Sequence, residues 1–164
     1  MAEGPGTAGS VRVIGLGNPM RSDDGVGRFV LALLTGRVPG GVTLIEGPRE
    51  ATGLLPLWRG AKLAIVLDAV RSGRAPGTVV SWRPHDGPLP AAWRPTSTHA
   101  ISLREAIALG EAMGELPEDL WVVGVEGDRF DVGSSLTPRV ESGAQEAAGM
   151  VLRAVRAAGG GPHA

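Results

Sequence analysis

The sequence predicts an α/β fold: a three-layer domain around a largely parallel sheet. Short apolar runs alternate with stretches whose apolar residues recur every three or four positions, as strands alternate with amphipathic helices. Three separated stretches place a carboxylate or an imidazole just past an apolar run, which is how a buried parallel strand ends at the edge of a sheet. The 164 residues are 43% hydrophobic and only 20% charged, enough for one domain with its own core.

Val11 to Leu16 reads as a short buried first strand. Asp23 to Thr35 reads as a helix, because Val26, Phe29, Val30, Leu33 and Leu34 share one face. Val42 to Ile45 is a second strand, ending at Glu46-Gly-Pro, and Ala51 to Trp58 a short helix. Lys62 to Leu67 is a strongly apolar third strand that stops at Asp68. Thr78 to Trp82 is a short edge strand bracketed by Pro76 and Pro84. Arg83 to Thr98 is a long Pro-rich loop, a length often tied to function. His99 opens a helix running to about Met113, and Leu120 to Val125 is the last strand. Pro138 to about Ala157 is the final helix, with Pro138 in its first turn and Val140, Ala144, Ala148, Val151 and Val155 inward. No repeat or internal boundary interrupts 11–157, leaving 1–10 and 158–164 as flexible tails.

The bulk numbers exclude several classes. A net charge of −1, with no run of Lys or Arg, argues against nucleic acid as a partner. The absence of cysteine removes disulfides, thiolate nucleophiles and zinc–thiolate sites. The N-terminus has no apolar core segment of a secretory signal, and no apolar stretch is long enough for a bilayer, so no membrane partner is expected. The chain is expected to work in the cytoplasm.

The chemistry gathers in Ile14 to Gly27, Val66-Leu-Asp68-Ala and Ser97-Thr-His99-Ala. Three strand ends can bring Asp24, Asp68 and His99 to one edge of a sheet. Two oxygen ligands and one nitrogen ligand suit a borderline metal such as nickel or zinc. Each residue also has a plain structural reading. Asp23 and Asp24 sit where acids favour a helix start, one capping the helix while the other faces a site. Asp68 can close a turn on its own backbone, and His99 can bond the loop before its helix. Only the three together favour a site.

Other motifs weigh less. Gly15-Leu-Gly17 follows a strand and precedes a helix, but Met20 stands where a dinucleotide fingerprint has its third glycine, and the nearby acids would repel phosphate. The glycines then serve a tight turn that aims Asp24. There is no Gly-x-Ser-x-Gly elbow and no His-Glu-x-x-His helix. Trp58, Trp82, Trp93 and Trp121 read as packing.

These residues resemble the maturation endopeptidases of [NiFe] hydrogenases. The family's first motif, a strand followed by Gly-x-Gly-Asn and, four residues on, Asp-[Asp/Glu]-x-x-Gly, corresponds to Gly15-Leu-Gly17-Asn18 and Asp23-Asp24-Gly25-Val-Gly27. Its strand ending in Asp-Ala corresponds to Asp68-Ala69, and its Ser-x-His opening a helix to Ser97-Thr-His99. Its Gly-x-Glu-Pro strand end and Gly-x-x-Leu-Ser-Pro-x-Val stretch correspond to Gly124-Val-Glu126-Gly127 and Gly133-Ser-Ser-Leu136-Thr-Pro138-Arg-Val140. The resemblance spans about residues 11 to 157.

The resemblance implies a three-layer α/β/α sandwich with a mixed five-stranded sheet. It also implies removal of a C-terminal extension from the hydrogenase large-subunit precursor once nickel has entered. By motif position, the side chains contacting nickel would be Asp24, Asp68 and His99. The nickel would arrive with the substrate, and zinc or cadmium could substitute in vitro. Two departures bear on substrate preference: Glu46-Gly47-Pro-Arg-Glu-Ala-Thr52-Gly53 stands where the family has an Asp-Gly-Gly-Thr-like loop, and Gly127 replaces the common proline. Two other readings stand beside this one. One is a non-catalytic nickel-binding accessory module. The other is a peptidyl-tRNA hydrolase, whose Gly-Leu-Gly-Asn-Pro is shared only as far as Pro19.

Overall fold

The computed structural model describes residues 10–48, 51–93, 102–133 and 135–159. Its strands are β1 (Val11–Gly15), β2 (Val42–Glu46), β3 (Leu63–Val70), β4 (Val79–Trp82) and β5 (Asp119–Glu126). Its helices are α1 (Val26–Leu34), α2 (Leu54–Trp58), α3 (Leu103–Met113) and α4 (Pro138–Gly159). The strands form one sheet in the order β2-β1-β3-β5-β4. All neighbours are parallel except β4, which runs antiparallel to β5 at the edge. The chain steps outward from β1 to β2, then returns to the other side of β1 as β3. That reversal makes the carboxyl ends of β1 and β3 a topological switch point, where open α/β sheets bind ligands.

Side-chain alternation along the strands builds two cores. Val11, Val13, Leu63, Ile65, Leu67, Val123 and Val125 face α1 and α4. Ile14, Ala64, Val66, Val70, Leu120 and Val122 face α2 and α3. The expected inward stripe of α4 is present: Val140, Ala144, Ala148, Val151 and Val155 are all buried. The result is the three-layer sandwich with a mixed five-stranded sheet. Among the described residues no helix is long and apolar enough to cross a membrane.

Helix α1 lies very close to the sheet beneath the switch point. A Cβ built on Gly27 would sit 2.5 Å from the carbonyl oxygens of both Leu16 and Leu67. Both are backbone atoms that cannot swing aside. Gly27→Ala is therefore expected to destabilise the fold by about 1–3 kcal/mol, read from the urea midpoint. An unchanged midpoint would contradict this close approach.

Several boundaries differ from the expectations. The helix expected from Asp23 begins at Val26, preceded by a 3-10 turn over Ser22–Gly25. The helix expected from Ala51 is a 3-10 turn, Ala51–Gly53, leading into α2. Strand β3 does not stop before Asp68 but continues to Val70, because Asp68, Ala69 and Val70 keep their partners Gly124, Val125 and Glu126 on β5. Helix α3 opens at Leu103, capped by Ser102, whose Oγ accepts from the Glu105 N–H at 3.3 Å. The expected helix start at His99 lies outside the described residues. Helix α4 extends to Gly159, past the expected end near Ala157.

Candidate active site

Asp24 reaches the switch point from the loop that leaves β1. Gly17 makes this possible: its φ of 103° lies in the left-handed region, and a Cβ there would collide with the carbonyl oxygen of Asp24. The same Cβ position lies 3.8 Å from Asp68 Oδ1, so Gly17 is flanked by both acidic residues. The Asp24 carboxylate is buried, and its Oδ2 accepts the Asn18 N–H at 2.9 Å. The glycine turn thus orients Asp24, as the sequence suggests.

Asp68 arrives on β3, on the sheet face turned to α2 and α3, since Val66 and Val70 lie in that core. It is half-buried, and its Oδ1 accepts the N–H of Ala69 at 2.8 Å. Burial, and then the charge of Asp24, push its pKa up from 3.8 to about 7, against the opposing Ala69 N–H. Loss of hydration and like-charge repulsion both disfavour the anion. A divalent cation placed between the acids would reverse both effects.

His99 lies outside the described residues. Trp93 packs in the core formed with α2 and α3, and Leu103 packs partly against it. Among the described residues no group of three His, Cys, Asp or Glu side chains is placed to hold a metal ion. Asp24 and Asp68 are the two sequence-predicted site residues that the structure brings together.

Asp23 does something the sequence did not disclose. It does not cap a helix: neither the 3-10 turn nor α1 has a side-chain cap. Its carboxylate is fully buried, and Oδ2 accepts the N–H groups of Asp128 at 2.9 Å and Arg129 at 2.8 Å. Oδ1 accepts the Thr137 N–H at 2.8 Å, and the Thr137 hydroxyl donates to the same carboxylate. Asp23 therefore ties the β5–α4 loop to the residue preceding Asp24. Glu126, also buried, plays a similar part after β3. It accepts from Ser72 N at 2.9 Å, Ser72 Oγ at 2.6 Å and Gly73 N at 3.0 Å. The signal for both was an acid inside or beside a strongly apolar stretch, which a folded chain keeps only if donors surround it.

The two departures from the family pattern lie on the same edge. Arg28 on α1 pairs with Glu46 at 3.3 Å and donates to the Gly47 carbonyl at 3.2 Å, so α1 holds the end of β2. Gly127 is covered by the ring of Phe130, which stands where a Cβ would go. The Arg71 guanidinium lies 5.0 Å from the centre of that ring.

Comparison with known proteins agrees with this fold. The family model described as hydrogenase maturation protease (HycI) matches residues 31–154. A hydrogenase expression/formation protein, HupD of Rhodobacter capsulatus, is 34% identical over 91% of this chain and 72% of its own length. The hydrogenase 2 maturation protease of Escherichia coli is 30% identical over 91% of this chain and 92% of its own. Among solved structures, the hydrogenase maturating endopeptidase HybD from E. coli superposes with a TM-score of 0.75 at 28% identity, covering 92% of this chain and 94% of that one. The family match, the two relatives and the shared sheet point one way: this chain belongs to the hydrogenase maturation protease family.

Proposed function

We propose that the chain removes the C-terminal extension of a nickel-loaded [NiFe] hydrogenase large-subunit precursor, with Asp24, Asp68 and His99 contacting the nickel that the precursor carries. One observation supports this most. Two acids from distant segments flank Gly17 at the switch point, close enough for Asp24 to raise the pKa of Asp68. Such a pair attracts a divalent ion. Two carboxylates and an imidazole match the borderline character of nickel, and zinc or cadmium would occupy the same ligands in vitro.

The nickel is part of the substrate. Binding it through these residues makes cleavage conditional on metal insertion, because an empty precursor forfeits the contacts that seat it. Hydrolysis also needs a base for the attacking water. A carboxylate oxygen of the Asp24–Asp68 pair that the nickel leaves free would supply that base. Membership of a protease family favours cleavage over the accessory-module and tRNA readings. We place the reaction in the cytoplasm, with no nucleic acid or membrane as partner.

Nickel-loaded precursor should lose mass on incubation with the protein, while nickel-free precursor should keep its full length, with initial rates differing by at least about 100-fold. His99→Ala should lower the rate on loaded precursor by a comparable factor. Equal trimming of both precursors would end the gating reading, and parental activity in His99→Ala would remove that residue from the set.

A further inference from the structure

Two of the four exposed large hydrophobic residues among those described stand together beside Asp24. Met20 is 59% exposed and Val132 88%. Residues Arg21 and Gly133 form a parallel β-bridge. The Gly133 N–H donates to the Met20 carbonyl at 2.9 Å, and the Ser22 N–H to the Gly133 carbonyl at 2.7 Å. The amide that donates to the Met20 carbonyl is the one directly after Val132, so Met20 and Val132 are neighbours in space.

The ribbon is held rigidly. Ser22 is the one non-glycine among the described residues with positive φ, at 50°, a strained conformation for it. Its Oγ donates to the Asp131 carbonyl at 3.0 Å, and the next residue is the buried Asp23 clamp. A strained backbone locked by a buried acid thus keeps two apolar side chains in water. The flanking Arg129 and Asp131 pair with each other at 2.8 Å, which cancels their charges. The ridge also leads directly into the site, since Asn18, two residues before Met20, holds the Asp24 carboxylate.

We propose that Met20 and Val132 form a docking ridge that binds an apolar segment of the hydrogenase precursor next to its metal centre. This rests on the functional reading above. The occupant is the precursor because any protein whose metal reaches Asp24 and Asp68 arrives alongside this ridge. A preformed apolar contact costs little ordering on binding. It acts equally in the ground and transition states, so its loss raises KM and leaves kcat alone.

The test is steady-state processing of nickel-loaded precursor by the parent, by the double variant Met20→Ser/Val132→Ser, and by a control, Leu109→Ser/Met113→Ser, which removes the exposed apolar pair on α3. The ridge variant should raise KM roughly 10-fold, with kcat within about twofold, while the control keeps the parental KM. An unchanged KM, a fall in kcat alone, or an equal rise in the control would overturn the proposal. So would a changed oligomeric state of the ridge variant in sedimentation, which would mark the ridge as a face between copies of this chain. If the parent does not cleave, the functional reading fails separately, and precursor affinity is measured directly. Roughly 10-fold weaker binding by the ridge variant alone still supports the ridge, and equal or absent binding overturns it.

Discussion

Asp68→Asn is expected to abolish processing while making the metal-free fold harder to unfold at pH 8. The folded carboxyl titrates near 7, against an ordinary value of 3.8, through burial and the charge of Asp24. Between those pH values the folded state holds a proton that the unfolded chain releases. The associated stability is therefore complete below about pH 4 and lost as pH rises through about 7. At pH 8 the native protein carries a destabilising anion that asparagine lacks. One pKa unit corresponds to about 1.4 kcal/mol, which sets a ceiling of roughly 4 kcal/mol. Partial solvent access brings the expected gain to about 1–3 kcal/mol. The asparagine oxygen can still accept the Ala69 N–H, so the local backbone has no reason to move.

Activity should move the other way, by about 1000-fold or more, because a neutral amide neither takes a proton from water nor attracts the cation as a carboxylate does. Urea denaturation at pH 5 and pH 8, beside precursor processing, reads both effects. The stability difference between variant and parent should be roughly a third to a half as large at the lower pH as at the higher, because pH 5 already lies above the ordinary value of 3.8. A variant less stable than the parent at pH 8 would refute the argument. In the parent, kcat/KM for processing should rise as pH passes through about 7, where Asp68 of the free enzyme becomes the anion.

Asp23→Asn is expected to cost about 2–4 kcal/mol and to release the 128–137 loop. Four donors converge on the Asp23 carboxylate: the N–H groups of Asp128, Arg129 and Thr137 and the Thr137 hydroxyl. One amide oxygen cannot serve them all, and the new NH2 would face donors rather than acceptors. Donors left facing a buried side chain that cannot accept from them account for most of the loss. Thr137→Val removes one hydroxyl and should cost only about 1 kcal/mol, a scale against which the charge can be judged. Denaturant midpoints and limited proteolysis across the loop provide the measurements. An Asp23→Asn protein as stable and protease-resistant as the parent would show that the clamp contributes nothing.

Much of the fold was legible because its signals are periodic. The three- and four-residue spacing from Val26 to Leu34 and from Val140 to Val155 marks faces that are buried in α1 and α4. The apolar runs around Val13, Ile65 and Val122 have one feasible place, the middle of a covered sheet. The missed boundaries share a cause, namely that tertiary partners outweighed local preference. The strand reading stopped at Asp68 because a carboxylate looks like an end, yet the ladder to β5 continues and only the side chain turns to the site. Asp23 looked like a helix cap until a loop more than a hundred residues away supplied its donors. Ser102-Leu-Arg-Glu105, by contrast, is a local capping pattern that could have been read, and it marks the start of α3 at Leu103. Asp24 and Asp68 could be nominated from sequence because both come after apolar runs, but only the strand order shows them flanking one glycine.

Gly127 limits what its neighbour can be. The tip of the Phe130 ring occupies the space that a Cβ at 127 would need, and the Arg71 guanidinium lies 5.0 Å from the centre of that ring. Any side chain at 127, proline included, requires the ring to move. The two positions therefore act as one unit, to be exchanged together or not at all.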